Sequence, residues 1–166
     1  MEDMLARFVE SVRTLEPSSS SGAHHEQLPN GRTSLVFPVL EEGRRGDVCA
    51  VGPRTRAVFK DASGVSRALI VRIKPGWSGS LLGIAASALR DRVIHLEDIW
   101  GRSGRELLEA LLATQTLTEA LDKLSNAIAL RAADTFEPAS AHLARQAVRL
   151  FEADEFAWST SPSVSA

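Results

Sequence analysis

Apolar and polar positions alternate from Thr33 to Val39, with Thr33, Leu35, Phe37 and Val39 on one side and Ser34, Val36 and Pro38 on the other. That period of two predicts a partly buried strand. Pro29, Asn30 and Gly31 stand just before it and suit a tight reversal, because Pro presets φ while Asn and Gly tolerate positive φ. Further strand-like runs cover His25 to Leu28, Asp47 to Val51 and Arg56 to Lys60, broken by the turn-rich EEGRRG and GPRT. A meander is the economical arrangement. The longest run, VSRALIVRIK, sets Leu69, Val71 and Ile73 against Ala68 and Ile70, so both faces carry apolar residues and an interior strand is expected. Near the N-terminus the period is helical instead: Met4, Leu5, Phe8, Val9 and Val12 predict a short amphipathic helix.

After Gly76 helices take over. SGSLLGIAASALRDR is rich in Ala and Leu, and Gly83 divides it into two short helical turns. Ser103 with Glu106, and Thr116 with Glu119, have the S/T-x-x-E spacing of a capping box, each ahead of a leucine run. In the second run Leu117, Leu121, Leu124 and Ile128 recur at steps of four and three. Such a stripe serves either a partner helix in a dimer or the preceding helix, with Leu107, Leu108, Leu111 and Leu112, in an antiparallel hairpin. A third helix is expected from Pro138 through Leu143, Ala147, Leu150 and Phe151. The chain thus divides into a β-rich half over residues 1–80, a helical part over 81–154 and a flexible tail over 155–166.

Composition narrows the partners. The 166 residues hold 19 basic and 21 acidic side chains, so the molecule as a whole does not attract a polyanion. One cysteine, Cys49, rules out an intrachain disulfide and a cysteine-cluster zinc site and suits the cytoplasm. No apolar run reaches the roughly 20 residues that a membrane helix needs.

Candidate chemistry is sparse. His24, His25 and Glu26 resemble a metal cluster, yet neighbours on a strand point to opposite faces, and His95 and His142 stand alone in the sequence. No metal and no cofactor are expected. No Ser, His and acid set has the spacing of a nucleophilic triad, so the reading is non-enzymatic. Arg54, Arg56 and Lys60, with Arg44 and Arg45 upstream, form a basic cluster that suits either an anionic ligand or a strand edge kept from pairing by charge. Phe37, Phe59, Leu69, Val71 and Trp77 are candidate liners of a cavity between the sheet and the first helices, and the same residues would equally make a packed core.

Taken in order, LPNGRTSLVF, VGPRTRAVF, LIVRIKPGWSGSLLGI, LRDRVIHLEDIWG and the leucine helices resemble the N-terminal regulatory domain of AraC-type transcription regulators. The resemblance runs from Leu5 to about Asp154, with Asn30 where Asp is usual and Trp77 where a small residue is usual. It implies an α+β fold, a degenerate cupin-like antiparallel barrel or sheet followed by a helical subdomain. It also implies a sensor for a small-molecule effector that forms a homodimer, with DNA read by a helix-turn-helix region expected after the third helix. Arg56 joins the liners as a ligand candidate, and Leu117, Leu121, Leu124 and Ile128 are the dimer candidates. The alternatives are a small cupin-like metal-dependent enzyme and a stand-alone protein-interaction module.

Overall fold

A computed structural model describes residues 6–15, 24–27, 29–40, 46–61, 65–134 and 139–159. The fold is α+β. Among the described residues seven strands are present: β1 (Val9–Leu15), β2 (His24–Gln27), β3 (Thr33–Leu40), β4 (Cys49–Val51), β5 (Val58–Asp61), β6 (Val65–Ile73) and β7 (Val93–His95). Five make one antiparallel sheet in the order β1-β6-β3-β4-β7, and β2 pairs with β5 separately. The expected meander is therefore incorrect. β6, at nine residues, is long enough to take β1 on one side and β3 on the other, so it sits inside the sheet as its two apolar faces require. Among the described residues the sheet is open, with β1 and β7 at its edges, rather than closed into a barrel.

The register stacks the buried face that period two predicts. Thr33, Leu35 and Phe37 stand opposite Ile73, Val71 and Leu69, and all six are buried. Helices cover this face: α1 (Ser78–Leu82), α2 (Ala86–Leu89), α3 (Leu96–Trp100), α4 (Arg102–Leu112) and α5 (Leu117–Ala133), followed by α6 (Ala139–Ser159). Gly83, at φ 73°, ends α1 and separates it from α2, as the sequence predicts. The Trp100 indole Nε1 donates to the Leu81 carbonyl at 3.2 Å, which ties α3 to α1 inside the core.

Several expectations are corrected. The amphipathic helix over residues 4–12 is a short helical stretch at 6–8 followed by β1, because Val9, Val12 and Thr14 favour an extended chain and the edge of β6 supplies the partner. Met4 and Leu5 lie outside the described residues. Ser103 does not cap α4, whose N-cap is Gly101; Thr116 does cap α5, its side chain accepting from Glu119 N at 3.2 Å while Glu119 Oε2 accepts from Gln115 N at 3.0 Å. No pattern in the sequence predicts β7, and it carries the sheet beyond the boundary expected at residue 80. α6 continues to Ser159, so the expected tail is helical over residues 155–159. Pro138 lies outside the described residues.

Candidate functional site

The sequence-predicted site residues separate. Phe37, Leu69 and Val71 belong to the packed core, so the cavity expected between sheet and first helices is filled at these positions. The Phe59 side chain lies outside the description. Arg54 and Arg56 do not share a strand: Arg54 forms an isolated bridge with Asn30 and is 7% exposed, with Nε and Nη2 enclosed and lacking a hydrogen-bond partner, whereas Arg56 is exposed on the bend that follows. Leu124 and Ile128 are sealed in the core of the single chain and Leu117 and Leu121 pack against it, so the stripe is used within the chain.

Trp77, itself 8% exposed and part of the packed core, borders a cleft. The cleft has a volume of about 550 Å³ and is lined by Arg7, Glu10, Arg32, Lys74, Pro75, Trp77, His142, Arg145, Val148 and Arg149. Its floor is the turn that leaves β6. Trp77 N donates to the Lys74 carbonyl at 3.2 Å across Pro75 and Gly76, and Gly76 has φ 78°, the sequence and backbone signature of a type II turn. This turn sets the largely buried indole at the edge of the cleft. A Cβ at Gly76 would stand 2.6 Å from Arg145 Cγ, so the glycine also lets α6 approach.

Trp77 is held on several sides. Phe8 meets it edge to face with ring centroids 4.6 Å apart, and Lys74 draws residues 6–8 in through its backbone N to the Phe8 carbonyl at 2.8 Å and its Nζ to the Ala6 carbonyl. The Arg145 guanidinium lies 4.0 Å and that of Arg7 4.9 Å from the indole centroid, a cation–π arrangement contributed by α6 and by the helical stretch that precedes β1. Glu10 pairs with Arg32 at 3.1 Å. Among the described residues, five basic side chains share the lining with one carboxylate. Burial, with the charges of Arg7 and Arg149 adding to it, pushes the Arg145 pKa down. An anion in the cleft would relieve that repulsion and gain charge-assisted hydrogen bonds.

Only Trp77 of this cleft was legible in the sequence. Arg7, Arg32 and Lys74 lie far from Arg145 and Arg149 along the chain, and the one local signal is the step of four between Arg145 and Arg149, which places both on one face of a helix.

A second group forms at the β4–β7 edge. His95, isolated in the sequence, lies against Asp47 through its Nδ1, and Cys49 Sγ is 3.8 Å from the same nitrogen. Strand pairing across 46 positions, Cys49 opposite His95, brings them together. The expectation that His95 stands alone is corrected accordingly.

No helix among the described residues is long and apolar enough to cross a membrane. No curated protein and no solved structure matches the chain. A family described as "Domain of unknown function (DUF6597)" matches residues 2–95, which is more than half of the chain and includes all seven strands together with Arg7, Lys74 and Trp77, and the chain belongs to that family.

Proposed function

We propose that the chain is the sensing and dimerising part of an AraC-type transcription regulator, non-enzymatic, responding to a small anionic effector and relying on helix-turn-helix units outside this sequence to contact DNA. The effector chemistry is a carboxylate or phosphate on a flat organic body. The cleft's volume falls in the range of about 300–1,000 Å³ usual for small-molecule sites, and it offers cations for the anion and an apolar border of Pro75, Val148 and the exposed margin of Trp77 for the organic body.

The observation that carries this reading is the origin of the two walls. Arg7, Arg32 and Lys74 come from the sheet and its flanks, while Arg145 and Arg149 come from α6. A ligand that engages both walls binds one placement of α6 better than others and so shifts the population toward it. The same helix carries Leu143, Leu150 and Phe151 on its outside, 64%, 69% and 73% exposed, a surface suited to a second copy of the chain. The order of sequence motifs supports the family reading, and the sheet with its appended helices is compatible with it.

Calorimetric titration with aromatic carboxylates, aliphatic carboxylates and phosphate esters tests the cleft. The expected result is saturable binding of a member of the panel, weakened about tenfold or more in Arg145→Ala, as befits loss of a charge-assisted hydrogen bond. Absence of binding across the panel at millimolar concentration, or binding indifferent to Arg145→Ala, would overturn the cleft as a sensor.

A further inference from the structure

We propose that Asp47, Cys49 and His95 form a binding site for one thiophilic divalent cation, zinc by its ligand chemistry. Their ligand atoms, a carboxylate oxygen, a thiol sulfur and an imidazole nitrogen, all lie within 4.8 Å of one another. The site is separate from the Trp77 cleft and does not depend on the regulator reading.

Rigid backbone places the three groups. Cys49 and His95 face each other in the β4–β7 ladder, which continues through Ala50 opposite Ile94 and Val51 opposite Val93. Two further backbone bonds extend the pairing at its ends, Leu96 N to the Val48 carbonyl at 2.7 Å and Gly52 N to the Arg92 carbonyl at 3.0 Å. Val48, Ala50 and Leu96 are buried, so the alternating residues Asp47, Cys49 and His95 are turned away from the core. Asp47 Oδ1 accepts from Val48 N at 2.6 Å, which leaves Oδ2 directed at the imidazole. His95 and Asp47 side chains are 60% and 38% exposed, so an ion and its waters reach the site without any opening of the fold.

The direction of approach separates metal binding from nucleophilic catalysis. In a thiol–imidazole–carboxylate relay the acid and the nucleophile use different ring nitrogens. Here both converge on Nδ1. Two groups gathered on one ring nitrogen put three donor atoms within reach of a single ion, which they can share once the Asp47 carboxylate swings off Nδ1. With Zn–S near 2.3 Å and Zn–N near 2.0–2.1 Å, a tetrahedral site has a sulfur-to-nitrogen edge of about 3.6 Å; the separation in this chain is 3.8 Å. Thiolate, imidazole and carboxylate together suit zinc better than magnesium or calcium, which take oxygen ligands. Three protein ligands leave a fourth position for water. On binding, the Cys49 thiol loses its proton to solvent as the sulfur–metal bond forms, so affinity rises with pH.

Cobalt(II) is the probe. Titration of the reduced, metal-stripped chain should produce a thiolate-to-cobalt charge-transfer band that saturates at one equivalent and disappears on addition of zinc. Cys49→Ser should abolish the band, and His95→Ala and Asp47→Asn should each weaken zinc binding at least about tenfold. Circular dichroism should show these variants folded, since His95 and Asp47 are not core residues. The double variant His24→Ala, His25→Ala should bind as the parent does. A parent without the charge-transfer band, zinc stoichiometry and affinity unchanged in both Cys49→Ser and His95→Ala, or binding that follows His24 and His25 instead would each overturn the site.

Discussion

Gly52 shows what the short motifs of this chain specify. A Cβ at that position would stand 1.8 Å from the Leu89 carbonyl oxygen, a backbone atom that no rotamer change can move. Gly52→Ala should therefore destabilise the chain by at least about 3 kcal/mol, the upper end of overpacking costs, read as a lowered urea midpoint. Gly83 and Gly101 hold positive φ, and Trp100 spends its indole N–H on Leu81. The VGP, LLG and IWG stretches at 51–53, 81–83 and 99–101 are thus junction residues marked by local turn chemistry, which explains why they are visible in the sequence while the cleft's arginines are not. Asp91, also at positive φ, accepts from Thr55 Oγ1 at 2.6 Å and Thr55 N at 2.8 Å. Those bonds, the side-chain one foremost, then the Arg56 and Arg90 charges, hold its carboxyl below the usual range. A depressed carboxylate pKa contributes stability above the unfolded value that is lost as pH falls through the folded one. Asp91→Asn should accordingly lie below the parent in thermal midpoint at neutral pH and converge with it below the ordinary carboxylate range.

At the scale of elements, local pattern succeeded where the local partner decided the outcome. The Thr116–Glu119 cap needs only neighbours within one turn, and it formed as predicted; Thr116→Ala should cost about 1 kcal/mol in urea unfolding. β1 failed because its fate rests on β6, more than fifty positions away, and the apolar spacing of residues 4–12 carries no trace of that partner. β7 is three residues long and gains its strand character from β4 alone. The stripe on α5 shows the same limit: its spacing predicts a helix face that needs a partner, but spacing does not say whether the receiving helix belongs to the same chain. Leu124 is fully buried, so Leu124→Ala should cost about 2–5 kcal/mol through the cavity it leaves. Its signature is lost stability, and a folded Leu124→Glu variant would contradict that placement.

At the scale of the whole molecule the unanswered demand is on α6. Its Leu143, Ala147 and Leu150 follow steps of four and three and all three are exposed, as is Phe151, while contact with the rest of the chain runs through Ala141 and Arg145. Soluble chains rarely leave such a row of large apolar residues to water, and a helix stripe of that spacing is received by another helix. If the chain dimerises as proposed, α6 is the seam, and the stripe on α5 first suggested by the sequence is spent inside each copy. Sedimentation should then give about twice the 17.9 kDa of a single chain. Leu143→Glu with Leu150→Glu puts two charges on a face already in contact with water in the free chain, so the variant should stay folded, with urea stability of each subunit close to the parent, and sediment at the mass of one chain. Because Arg145 and Arg149 lie on the same helix, raising the concentration of a cleft-binding anion should change the dimerisation constant of the parent and leave the double variant monomeric. A parent that sediments as a single chain at tens of micromolar, or a double variant that remains a dimer, would remove α6 from the assembly.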